Sequence, residues 1–204
     1  MVKIAYVDIS CVDETLYSRL FDMADAQRKS KSLRYLRFED KVRCVAAGAL
    51  LRYAAAKQLG TDTFETATDD NGKPHIVGAG DFHFNLSHAG KWVVIAYGNT
   101  PVGIDVEKID PAAAVSGIAS RFYTSDEQNY VADNTERFFE LWTAKESYIK
   151  FVGKGLQMGL TSFSVLSIKG PHFYPISIDP QYRMTLCTTE APQWIEQIPI
   201  SALI

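Results

Sequence analysis

Apolar residues recur at two periods along this chain, and the changes of period mark its elements. Val42, Val45, Ala46, Ala49, Leu50 and Tyr53 fall on one helical face, and Gly60 stands where a left-handed cap belongs. A helix is therefore predicted over residues 38–59. A second long helix is predicted over 135–152, closed by Gly153 and Gly155. Residues 2–9, 82–86, 92–97 and 102–107 alternate or run apolar as strands do, and Gly98-Asn99-Thr100-Pro101 turns between the last two. Shorter helices are expected at 15–23, from Asp110-Pro111 toward residue 120, and from about residue 124. Short strands are expected at 163–168, 173–178 and 183–188, while residues 61–81 are polar and turn-rich. Strands and helices alternate without a strict βαβ rhythm, which favours an α+β fold.

Composition narrows the class. A chain of 204 residues, 47% of them hydrophobic, builds a core without a disulfide or metal staple. Cys11, Cys44 and Cys187 are odd in number, widely spaced and without zinc spacing, so a reduced, cytoplasmic protein is expected. Asp8, Asp13 and Glu14 near the start argue against a signal peptide, and no apolar run is long enough to predict a membrane span. A net charge of −3 speaks against generic nucleic-acid binding. Any affinity for phosphate must come from local clusters.

Two such clusters stand out. Asp105 and Glu107, two apart on a predicted strand, leave it on one face, while Val102, Ile104 and Val106 take the other. Gly103 leaves room on the acidic face for something bulky. Glu146 and Lys150 share one side of the second long helix. If the three carboxylates converge, each close pair repels by about 1 kcal/mol in water and about 4 at an effective dielectric of 20. A hard cation would offset this, and all-oxygen ligands point to Mg²⁺, with Mn²⁺ as a substitute. An exposed strand face and an ordinary surface pair remain alternatives for the same residues.

Basic residues are dense from Arg28 to Arg43, and Lys73, Lys145, Lys150 and Lys154 add scattered charge. The step Asn85-Leu86-Ser87-His88 invites a hydrolase reading. However, neighbours on a strand point to opposite faces, so Ser87 and His88 do not make a nucleophile–base pair. Phosphate binding or a structural turn fits them better. Thr124-Ser125-Asp126-Glu127 matches a capping box, which makes Glu127 as readily structural as catalytic.

Gly103-Ile104-Asp105-Val106-Glu107 and Trp142-x-x-Lys145-Glu146-Ser147-x-x-Lys150-x-x-Gly153-x-Gly155-Leu156 resemble the two signature motifs of 4′-phosphopantetheinyl transferases, most closely the type that activates surfactin synthetase. Asn85-Leu86-Ser87-His88 and Gly72-Lys73-Pro74 support the resemblance, which covers roughly residues 28–165. It implies an enzyme that moves the phosphopantetheine arm of coenzyme A onto a serine of an apo acyl or peptidyl carrier protein, releasing 3′,5′-ADP. It also implies a monomer of two similar α/β halves in pseudo-two-fold arrangement, taken as residues 1–100 and 101–204, with the site in the cleft between them. By the same resemblance Asp105, Glu107 and Glu146 hold Mg²⁺, and Glu146, Lys150 and Asp105 are catalytic. Arg28, Lys31, Lys73, Ser87, His88, Lys145 and Lys150 bind the coenzyme. Cys44 and Arg28 depart from the residues familiar at their positions, threonine and lysine. A non-catalytic module that binds carrier proteins is the alternative reading.

Overall fold

The computed structural model describes residues 1–204, the side chain of Leu156 excepted. Strand β1 (Val2–Asp8) lies inside a four-stranded sheet, between β5 (Trp92–Gly98) and β9 (Pro192–Gln197), with β4 (His83–Ala89) beyond β5. It runs antiparallel to β5 and parallel to β9. Helix α3 (Phe38–Leu59) covers one face of this sheet, where Val45 and Leu50 pack against Ala5, Val7, Val93 and Ile95.

The other face meets a second sheet of β6 (Val102–Lys108), β8 (Tyr182–Thr188) and β7 (His172–Pro175), in the order β6-β8-β7. Between the sheets, Ile4, Val94 and Ala96 pack on Ile104, Met184 and Leu186. Helix α6 (Thr135–Val152) lies on the far side of the second sheet, over β6 and β8. Helices α4 (Val115–Phe122) and α5 (Ser125–Val131) complete that outer layer around Phe138 and Leu141. The result is a mixed α+β architecture, as the alternation of elements predicted.

Both long helices have the bounds their periodicity predicts, each ending on a left-handed glycine, Gly60 and Gly153. Gly103 explains how α6 reaches its sheet. A Cβ on Gly103 would lie 2.0 Å from the Ser147 carbonyl oxygen and 2.4 Å from the Phe151 nitrogen. The bulky object this glycine admits is the backbone of α6 itself.

Some expectations need correcting. The basic stretch contains a helix, α2 (Ala26–Leu33), started by Asp25, whose carboxylate accepts the Arg28 amide. The turn-rich region holds a small hairpin of β2 (Thr66–Thr68) and β3 (Pro74–Ile76). Residues 163–168 do not form a strand, because their backbone serves two buried side chains: the Phe163 oxygen accepts from Lys145 and the Val165 nitrogen donates to Glu127. The last segment does not stay with residues 101–191. Strand β9 returns to pair with β1, and Ile198 and Leu203 join the core under α3.

Candidate active site

Strands β4 and β6 meet through side chains rather than a backbone ladder. The outward amides of β6 at Ile104 and Val106 donate to Asn85 Oδ1 at 2.8 Å and Ser87 Oγ at 3.3 Å. This seals the edge of the second sheet and brings Asp105 beside Ser87, which donates to Asp105 Oδ1 at 3.0 Å. Helix α6 brings Lys150 from above. Its ammonium donates to Asp105 Oδ1 at 2.7 Å, to Ser87 Oγ at 3.1 Å and to the Ile104 carbonyl at 3.1 Å.

Asp105, Glu107, Glu146 and Lys150 line one pocket of about 350 Å³, together with Leu86, Ser87, His88 and Trp142. The acidic residues predicted from two distant segments therefore converge. Glu107 and Glu146 both feel their burial and the charge of Asp105. Burial, then the charge of Asp105, pushes the Glu107 carboxyl up to about 7, with Glu146 adding and Lys150 opposing. Glu146 is raised by burial and by Asp105, again against Lys150.

Asp105 Oδ2 is buried without a hydrogen-bond partner. A buried carboxylate oxygen left unpaired is costly, so this atom is poised for a ligand. Among the described residues, no three His, Cys, Asp or Glu side chains already stand as a metal cage; Lys150 occupies the other oxygen of Asp105, Oδ1. The donor set, three carboxylates with one orphaned oxygen, nevertheless suits a hard divalent ion.

His88 and Ser87 part as the strand pleat requires, Ser87 buried and His88 exposed. Although much of the His88 surface is open to solvent, partial desolvation of its imidazole lowers its affinity for a proton, against a backbone hydrogen bond, with Arg43, Lys150 and Lys31 adding. Lys31 thus stands within electrostatic reach of the pocket. Arg28, one turn earlier on α2, donates to the Cys44 carbonyl at 3.2 Å and lays its stem over Gly48.

Two expected coenzyme ligands lie elsewhere. Lys145 is fully buried, and its ammonium donates to both oxygens of Glu127, at 2.8 and 2.6 Å, and to the Phe163 carbonyl at 2.7 Å. Glu127 in turn accepts the Thr124 and Val165 amides. The pair is closed to any ligand, which corrects the assignment of Lys145. Lys73 spends its ammonium on carbonyls at the end of α6 instead of on the acidic pocket. Sequence reasoning assigned no site role to Arg43 or Trp142; the indole lies beside Glu107, a placement its position one turn before Glu146, on the same helix face, could have suggested. A hollow of about 520 Å³ lies between α2 and residues 62–66, where Arg52 is already paired with Asp62 and the Met23 carbonyl.

Comparison with known proteins decides the family. Residues 101–200 match the model of the 4′-phosphopantetheinyl transferase superfamily, and residues 13–100 match that of the 4′-phosphopantetheinyl transferase N-terminal region. This chain belongs to the 4′-phosphopantetheinyl transferases. A 4′-phosphopantetheinyl transferase of Bacillus subtilis is 35% identical over 189 residues, covering 83% of this chain and 84% of the relative. The transferase Sfp of Bacillus subtilis strain 168 is 33% identical over 200 residues, 88% of each chain. The transferase psf-1 of Bacillus pumilus is 42% identical over 151 residues, 65% of this chain and 64% of its own. The protein is accordingly an enzyme of the surfactin-synthetase-activating type that its motifs resemble. As a transferase of this family it presents the acidic pocket at the seam between its two sheets.

Proposed function

We propose that the enzyme transfers the 4′-phosphopantetheine arm of coenzyme A to a serine of an apo acyl or peptidyl carrier protein, in a Mg²⁺-dependent reaction that releases 3′,5′-ADP. The observation that carries this reading is the convergence of Asp105, Glu107, Glu146 and Lys150 on one pocket, with Asp105 Oδ2 lacking a partner. Asp105, Glu107 and Glu146 would hold Mg²⁺, or Mn²⁺ in its place, and the bound ion supplies Lewis acidity toward the diphosphate.

The carrier serine oxygen attacks the β-phosphorus of coenzyme A, and the bond from that phosphorus to the bridging oxygen breaks. The serine proton passes to Glu146, whose burial raises its affinity for a proton. Lys150 places a fixed ammonium against charge gathering on the leaving phosphate. His88, Lys31 and Arg28 bind the nucleotide phosphates, with Ser87 fixing Lys150 and Asp105 from below. Ser87 itself is no nucleophile, since its oxygen is committed to Asp105, Lys150 and the Val106 amide.

The deciding experiment incubates the protein with an apo carrier, coenzyme A and Mg²⁺ and weighs the carrier by mass spectrometry. Gain of one phosphopantetheine, abolished by EDTA, is expected. Carrier binding that survives EDTA with no change of mass would favour the non-catalytic module. Among the described residues no helix is long and apolar enough to cross a membrane. We take the working form to be a cytoplasmic monomer, and light scattering checks its oligomeric state.

A further inference from the structure

The Gly72-Lys73-Pro74 step and the Gly153-x-Gly155 exit of α6 are two sides of one contact. Lys73 sits at the end of the β2–β3 turn, held by Asp69, whose Oδ1 accepts the Asn71 amide at 2.9 Å and the Lys73 amide at 2.8 Å. From this rigid turn the side chain crosses to the C-terminal end of α6. Its ammonium donates to the Lys150 carbonyl at 2.7 Å, the Phe151 carbonyl at 3.3 Å and the Val102 carbonyl of β6 at 3.5 Å. An ammonium has three protons, and all three are placed. The closing carbonyls of a helix lack intrahelical partners and carry negative partial charge, so a lysine is well suited to them. Both glycines make room: a Cβ on Gly153 would lie 3.1 Å from Lys73 Cδ, and one on Gly155 would lie 3.4 Å from the Asn71 oxygen.

Lys150 is therefore gripped at both ends, its carbonyl by Lys73 and its ammonium by Asp105. We infer that Lys73 is a positioning residue, which pins the last turn of α6 across the seam and so sets where the Lys150 ammonium stands. This rests on the transfer reaction proposed above for its kinetic consequence, though not for the contact itself. A ligand for the nucleotide, by contrast, would need a free ammonium.

Hydrogen exchange and steady-state kinetics of Lys73→Met together test this. Faster amide exchange confined to residues 149–153 is expected. So is a fall in kcat of up to about 10²-fold, the scale of a misplacement near 1 Å, with KM for coenzyme A nearly unchanged. In a Lys150→Met background the same substitution should add almost nothing to the loss of rate. Lys73→Arg, which keeps donors for the carbonyls, should restore most of the protection and rate. If Lys73→Met does not fold, Lys73→Gln takes its place in the same measurements. Unchanged exchange, or a rise in KM of tenfold or more with kcat preserved, would overturn the inference and make Lys73 a substrate ligand. A wild-type protein without transfer activity would sink the proposed reaction, while the exchange data would still judge the clamp.

Discussion

Lys150 holds one oxygen of Asp105, at 2.7 Å, and leaves the other buried and unpaired. The pair is asymmetric in burial, since 26% of the lysine side chain is exposed against 6% of the aspartate. The lysine is thus the partner that faces the open side of the pocket, while the aspartate lies beneath it. Asp105→Asn keeps the shape and removes the charge. It should shift the Mn²⁺ titration of turnover to higher concentration and weaken coenzyme A binding in the same variant, by calorimetry. A metal titration identical to wild type would remove Asp105 from the ligand set.

In the proposed reaction Glu146 takes the serine proton. Glu146→Gln should cut transfer by about 10²-fold or more, in line with the loss of a positioned proton acceptor. Because the side chain is only partly buried, circular dichroism and the melting temperature should change little. Near-wild-type turnover would assign the chemistry elsewhere.

Helices α3 and α6 were legible from apolar residues at helical spacing, and strands β1, β5 and β6 because they alternate or run apolar between turn signals, β5 being buried along its whole length. Asp105, Glu107, Glu146 and Lys150 were legible as a motif, and their spacing on one strand and one helix already fixed which faces they share. Strand β9 was hidden because it is an edge strand with Trp194 and Ile195 exposed, 57% and 46%, so it shows no apolar face to read. The region 163–168 was misread because its apolar residues serve the outer core while its amides and carbonyls satisfy Glu127 and Lys145. Lys145 was misassigned for the same reason. A lysine beside a motif glutamate looks like a phosphate ligand unless its distant partner, Glu127, is known.

Gly103 is where α6 touches β6 backbone to backbone. Gly103→Ala would drive a methyl into the Ser147 carbonyl and the Phe151 amide, and neither is the far end of a flexible side chain. Overpacking of this kind costs about 1–3 kcal/mol, and here the helix must lift to relieve it. A lowered melting temperature together with loss of turnover is expected, because Glu146 and Lys150 ride on α6. A variant as stable and active as wild type would show that the contact is looser than it stands.

The Glu127–Lys145 pair has no solvent exposure on either side chain. Removing one partner strands a charge, which costs about 3–5 kcal/mol, whereas removing both spares that penalty. Lys145→Met should therefore be strongly destabilising in urea denaturation. A double-mutant cycle with Glu127→Gln should return a coupling of at least about 2 kcal/mol. Additive effects would mean that the two groups act independently. Any fall in transfer should track the loss of folded protein, since neither group reaches the pocket.

Glu107 ties stability to pH in the metal-free protein. Its carboxyl is raised from 4.5 to about 7, chiefly by burial and then by Asp105. Between those values the fold holds its proton more tightly than the unfolded chain does, so the native state binds more protons there. Stability from this group is therefore present below about 4.5 and declines as pH rises toward 7. His88 acts in the opposite sense: its lowered value favours the unfolded chain's proton, and stability from it grows as pH climbs toward 6.5. Comparing Glu107→Gln with wild type cancels the histidine and leaves the carboxyl. In EDTA, wild type should lose melting temperature relative to the variant as pH goes from 5 to 7.5. A cation that accepts the carboxylate would favour the charged form, so Mg²⁺ with coenzyme A should shrink that difference. Parallel melting curves with and without Mg²⁺ and coenzyme A would remove Glu107 from both the electrostatic cluster and the metal.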